Sequence, residues 1–99
     1  MRNYEAMILV RPNLEEEAFQ AVVDKFTNLI AQEGGEIVKV DKWGKRRLQY
    51  EINKLKEAFY VLVYFKGEPA VAQELERVMK ISDDIVRFLV IRMEEKNAK

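Results

Sequence analysis

The sequence predicts an α+β domain of element order β-α-β-β-α-β, in which a four-stranded antiparallel sheet carries two helices on one face. Three observations lead there. Four segments show strand-like apolar patterning, at Arg2–Val10, Glu36–Ile52, Ala58–Phe65 and Ile85–Arg92. Two others, one after Pro12 and one from Pro69, space their apolar residues as helices do. Right-handed crossovers then place both helices on one side of the sheet, with the first and third strands, the most apolar, at its centre.

In the first strand Tyr4, Ala6, Ile8 and Val10 share one face and Asn3, Glu5, Met7 and Leu9 the other, until Pro12 stops it. Asn13 is placed to cap the first helix, with Glu16 three residues on as the partner of a capping box. Glu15, Glu16 and Glu17 crowd the first turn, where unpaired amide protons favour negative charge. Ala18, Val22, Val23, Phe26, Leu29 and Ile30 form the apolar face of a helix of about 20 residues. Gly34 and Gly35 end it, because glycine accepts the left-handed C-cap conformation.

Glu36–Val40 and Leu48–Ile52 have strand character, whereas Asp41–Arg47 (DKWGKRR) is too polar for a core strand. One long strand, bent or bulged near Trp43–Gly44, accounts for all three. A turn over Asn53–Glu57 leads into Ala58–Phe65, which is apolar on both faces as interior strands are. Gly67, Glu68 and Pro69 open the second helix, and Pro69 stands where a missing amide proton costs nothing. Its stripe is Val71, Leu75, Val78 and Met79, and Lys80–Asp84 closes it. The last strand sets Arg87, Leu89 and Ile91 opposite Phe88 and Val90. Residues 1–93 are thus expected to form a single ferredoxin-like domain, and residues 94–99 a short charged tail that frays.

Composition closes many functional routes. The 99 residues include 17 basic and 17 acidic side chains, no histidine and no cysteine. Without cysteine there is no disulfide, thiol catalysis or thiolate metal site. Without histidine the commonest general base near neutral pH is gone. No carboxylate cluster suggests a hard-metal site, so neither a metal nor a cofactor is expected. An acylphosphatase-like enzyme shares the topology but wants a glycine-rich phosphate loop after the first strand, where this chain reads RPNLEEE. Catalytic residues are expected to be none. The first apolar run, Ala6–Val10, is too short for a leader, and no window approaches a membrane span. The expectation is a cytoplasmic protein with no membrane and no DNA partner.

Two helices cover only one sheet face. On the other lie Met7 and Leu9, then Leu89 and Ile91, and from the third strand either Phe59, Val61, Val63 and Phe65 or Tyr60, Leu62 and Tyr64. In either phase that face is apolar, and such patches generally mark an interface. The connections are too short for the chain to cover it.

Charge is balanced but segregated. Residues 39–56 hold seven basic side chains against two acidic, and residues 14–36 hold six acidic against one basic. A basic ribbon with Trp43 beside Lys45, Arg46 and Arg47 suits contact with phosphates, Trp43 either stacking on a base or bracing the ribbon. The alternative is a solvated turn with solubilising charge. An RNA-recognition motif of the usual kind fits poorly: position 57 is not glycine, and AMILV in the first strand offers no aromatic for base stacking.

The opening MRNYEAMILVRPNL, the central WGKRRLQYEINK (Trp43–Lys54), AFYVLVYF and the ending DDIVRFLVIR together resemble the bacterial small-subunit (30S) ribosomal protein S-six family. The resemblance implies the split β-α-β fold and a structural place in the platform of the small ribosomal subunit. It also implies contact with the central domain of 16S ribosomal RNA, made as a heterodimer with ribosomal protein S-eighteen. Carried onto this chain, the RNA-binding candidates are Arg2, Lys39, Lys42, Trp43, Lys45, Arg46, Arg47, Arg87 and Arg92. The protein-partner candidates are Met7, Leu9, Tyr50, Tyr60, Leu62, Leu89 and Ile91. Two other classes stay open: a homodimeric ferredoxin-like regulatory or ligand-binding module, and a protein-only adaptor.

Overall fold

The computed structural model describes residues 2–52 and 54–93. It contains β1 (Arg2–Val10), α1 (Glu16–Gln32), β2 (Glu36–Ile52), β3 (Leu55–Gly67), α2 (Pro69–Lys80) and β4 (Ile85–Met93). The strands form one sheet in the order β2-β3-β1-β4, every neighbouring pair antiparallel. The interior strands are β1 and β3, as expected, and they hold all the buried strand residues among those described; the edge strand β4 is no less apolar. Both helices lie on one face, and no helix among the described residues is long and apolar enough to cross a membrane.

Alternation sets the phase of the sheet. Tyr4, Ala6, Ile8 and Val10 of β1 join Val61, Val63 and Phe65 of β3 in the core beneath the helices. Phe26 and Ile30 of α1 and Leu75 and Met79 of α2 fill the middle, each at most 1% exposed. Tyr4 stacks on its cross-strand partner Phe65, ring centres 5.2 Å apart.

The end of α1 explains its glycines. The Gly35 amide donates to the Ile30 carbonyl (2.8 Å) and the Gly34 amide to that of Ala31 (3.1 Å), with Gly34 at φ +92°. These are the two bonds of a Schellman C-cap, and they leave the orphan carbonyls satisfied.

Four expectations need correction. Asn13 does not cap α1: the N-cap is Glu15, without a side-chain cap bond. Leu14 before it and Phe19, four residues into the helix, both pack in the core, at the positions a hydrophobic staple uses. Apolar anchoring replaces the capping box. Phe19 is also the buried residue where Ala18 was expected; Ala18 is exposed. Phenylalanine removes more apolar area from water, and its ring stacks on Phe59 with centres 4.6 Å apart. In α2, Ala72 joins the buried set that the stripe left it out of, while Val78 packs partly buried against the core. Finally, β3 begins at Leu55, inside the expected Asn53–Glu57 turn, and Lys54 takes a left-handed φ of 67°; Asn53 lies outside the described residues. The strands go on pairing, which keeps backbone groups bonded. Met93 closes β4, and the expected tail, residues 94–99, lies outside the described residues.

Candidate nucleic-acid and partner interface

The β2–β3 hairpin outruns the rest of the sheet. β1 pairs with β3 only as far as Val10↔Phe59, whereas β2 and β3 continue through Arg46↔Ala58, Arg47↔Glu57 and Ile52↔Leu55. Beyond Phe59 they form a two-stranded ribbon. Between the last two pairs β2 carries Leu48–Glu51 where β3 carries Lys56 alone, an irregularity larger than a simple bulge. Leu48, Gln49, Tyr50 and Ile52 of this bulged end line a groove of about 310 Å³ together with Met7, Leu9, Tyr60, Arg87 and Leu89.

The groove belongs to the sheet face that the helices leave open. With Val61, Val63 and Phe65 turned to the core, Tyr60, Leu62 and Tyr64 occupy the open side. Across the strands Met7 sits between Leu62 and Leu89, and Leu9 between Tyr60 and Arg87. All seven partner candidates therefore meet on one face. Leu9 and Leu62 are already buried there, while Tyr50 is 75%, Leu89 49% and Ile91 45% exposed. Glu5 sits between Tyr64 and Ile91, and Asp41 beside Leu62. Desolvation first, then the Glu5 carboxylate and its hydrogen bond and more weakly Asp41, raise the Tyr64 phenol above 10.0.

The ribbon's basic side chains divide between the two faces. The β2 register slips between Lys42 and Gly44, with Gly44 at φ +85°, and the intervening Trp43 stacks near-parallel on Tyr60 (ring centres 6.3 Å apart, planes 11° apart). Arg46 lies over the Trp43 ring at 5.7 Å. On the helix side Lys42 donates to Gln20 of α1, and the Lys45 ammonium stands 5.4 Å from the Phe59 ring centre. Arg47, opposite Glu57, is exposed. Of the remaining candidates, Arg87 opens onto the groove, whereas Arg92 pairs with Tyr4 and so lies on the helix face. Arg2 pairs with Gly67 at the far end of the sheet, and Lys39 lies opposite Tyr64. One contiguous patch thus unites Trp43, Arg46 and Arg87 with the partner residues. Lys39, opposite Tyr64, lies farther along the same face, whereas Arg2 and Arg92 stand apart from it.

Other arginines are committed to intramolecular pairs. Arg11 holds Asp84 at 2.9 Å, and Arg77 grips Glu74 at 2.6 and 3.0 Å. Sequence reasoning did not single out Gln49, Glu5, Asp41 or Tyr64 as site residues. Alternation places Glu5 and Tyr64 on faces, but their adjacency comes from strand register, which one strand's pattern does not reveal.

Comparison with known proteins agrees with this geometry. The family model described as Ribosomal protein S6 matches residues 3–92. Small ribosomal subunit protein bS6 of Heliobacterium modesticaldum is 78% identical over 96% of this chain and 99% of its own length. That of Moorella thermoacetica is 61% identical over 96% and 97%. The crystal structure of 30S ribosomal protein S6 from Thermotoga maritima superposes with a TM-score of 0.89 at 33% identity, covering 93% of this chain and 87% of that one. The C-terminal domain of the MgtC protein from Mycobacterium tuberculosis, at 10% identity and TM-score 0.66, covers all of this chain and 95% of that one, and shares the fold alone. Sequence across almost the whole length and backbone geometry therefore agree, and the chain belongs to the ribosomal protein S6 family.

Proposed function

We propose that the chain binds the central domain of 16S ribosomal RNA as a heterodimer with ribosomal protein S-eighteen, in the small ribosomal subunit of the cytoplasm. Family membership makes it a structural ribosomal protein and not an enzyme. The observation that carries the finer assignment is one sheet face on which exposed Leu89 and Ile91 adjoin a ribbon bearing Arg46 and Arg47. The apolar part suits a protein, which removes Leu89, Ile91 and Tyr50 from water. The basic part suits phosphates, which position the pair on a folded RNA without base-by-base reading. The acidic side chains of α1, on the opposite face, offset the basic ribbon and keep the protein's own charge neutral.

Calorimetric titration with purified S-eighteen tests the protein half. A single tight complex that Leu89→Asp and Ile91→Asp abolish supports it. Unchanged affinity in both variants places the partner elsewhere, and self-association of the free chain through the same face favours the homodimeric module.

A further inference from the structure

We infer that Trp43 is a positioning residue for RNA: its ring holds the Arg46 guanidinium by cation–π attraction and leaves the N–H donors free for a phosphate. This role rests on RNA binding at this face, as proposed above.

Three observations meet at this point. Trp43 is the residue left unpaired where the β2 register slips between Lys42 and Gly44, and the left-handed Gly44 beside it permits that slip. An indole freed from the ladder would ordinarily turn into the core or lie loose. Here it stays 47% exposed and stacks on Tyr60. Arg46 then sits 5.7 Å from the ring centre.

A guanidinium held over an indole by cation–π attraction meets no conventional acceptor there, so its five N–H donors remain for a phosphate. Arg46 makes no hydrogen bond or ion pair among the described residues, in contrast to Arg11 and Arg77, which bind Asp84 and Glu74. A free arginine loses much rotamer freedom when it grips a phosphate, and one held over an indole has lost part of it beforehand. The chain Tyr60–Trp43–Arg46 therefore carries rigidity from the central strand β3 out to the ribbon's bonding edge. Lys42 and Lys45, on the other side, are held by Gln20 and Phe59 and do not share this stack.

The test is a thermodynamic cycle on the intact chain, titrated with S-eighteen and a 16S central-domain RNA fragment at several salt concentrations. Trp43→Ala is expected to weaken binding roughly two- to fivefold, the loss of one exposed cation–π contact. The salt slope should fall by about one, as when a phosphate contact is lost. Trp43→Ala should add little in an Arg46→Ala background, and Trp43→Phe should restore most of the affinity. In the free protein, the Arg46 δ-proton resonances should lose their ring-current shift on Trp43→Ala, a readout that folding stability alone does not move.

Losses that add in the double variant with the salt slope unchanged would make Trp43 a base-stacking contact and overturn the inference. Full affinity in Trp43→Ala would reduce the residue to a brace of the ribbon. If the parent protein binds no RNA beside S-eighteen, the RNA reading itself fails and this role falls with it.

Discussion

Arg11 and Asp84 are joined twice: the Arg11 guanidinium donates to the Asp84 carboxylate at 2.9 Å, and the Arg11 amide donates to the Asp84 carbonyl at 3.0 Å. The end of β1 is thereby tied to the turn before β4, across 73 residues of chain. The pair is partly exposed, with side chains 39% and 38% accessible, so solvent screens it. Asp84→Ala should cost about 0.5–1 kcal/mol and lower the melting temperature by a few degrees in calorimetry. Asp84→Asn keeps an acceptor and should lose less. The same contact argues against a phosphate loop after β1, since the arginine there is already used.

Gly35 marks a close approach of α1 to the sheet. A Cβ there would lie 2.8 Å from Ile30 Cγ2, 3.0 Å from the Ile30 carbonyl oxygen and 3.1 Å from that of Lys66. Two of these neighbours are backbone and cannot swing aside. Gly35→Ala should destabilise the fold by about 1–3 kcal/mol in urea denaturation. At Gly34 nothing lies within 4 Å of a Cβ, but φ is +92°, so Gly34→Ala should cost about 1 kcal/mol from backbone strain alone.

The two faces of the sheet should respond differently to truncation. Phe26, 1% exposed beneath the helices, should lose about 3–5 kcal/mol on replacement by alanine. Tyr50, 75% exposed on the ribbon, should change stability by less than about 0.5 kcal/mol. Its loss should appear instead as weaker S-eighteen binding in calorimetry. A large stability loss from Tyr50→Ala would show that the groove is closed by the chain itself.

Much of this was legible in the sequence, because burial writes itself into short-range periods. Alternation placed the core face of β1 and β4, Gly34–Gly35 announced the helix end, and Trp43–Gly44 announced the bulge. Alternation also separates Arg87 from Arg92, since an odd spacing puts them on opposite faces. What stayed hidden depends on neighbours distant in sequence. Phe19 displaced Ala18 because Phe59 waits across the core. Leu55–Glu57 reads as a polar turn, yet belongs to β3 because Arg47 and Ile52 supply pairing partners. The Tyr60–Trp43–Arg46 stack likewise exists only once the register slips.

Two ionisable groups give the stability a defined pH dependence. A hydrogen bond from Arg77, partly opposed by desolvation and aided by its charge, holds the Glu74 carboxyl below its usual 4.5. A lowered value contributes stability that is present above 4.5 and lost as pH falls through it. Tyr64 is the reverse case: its raised value contributes stability that is complete below pH 10.0 and lost as pH climbs through it. Denaturation across pH should therefore show a shallower acid limb in Glu74→Gln and a shallower alkaline limb in Tyr64→Phe. Limbs that match the parent would assign the slopes to other groups.

Binding to RNA tests the central claim most directly. The purified chain, with and without S-eighteen, is titrated onto a 16S central-domain fragment at two salt concentrations. Cooperative binding is expected that needs both proteins, falls as salt rises because phosphate contacts release counterions, and weakens in the Arg46→Ala, Arg47→Ala double variant. Binding that ignores salt and both arginines, or no complex with either S-eighteen or the RNA, would contradict the account.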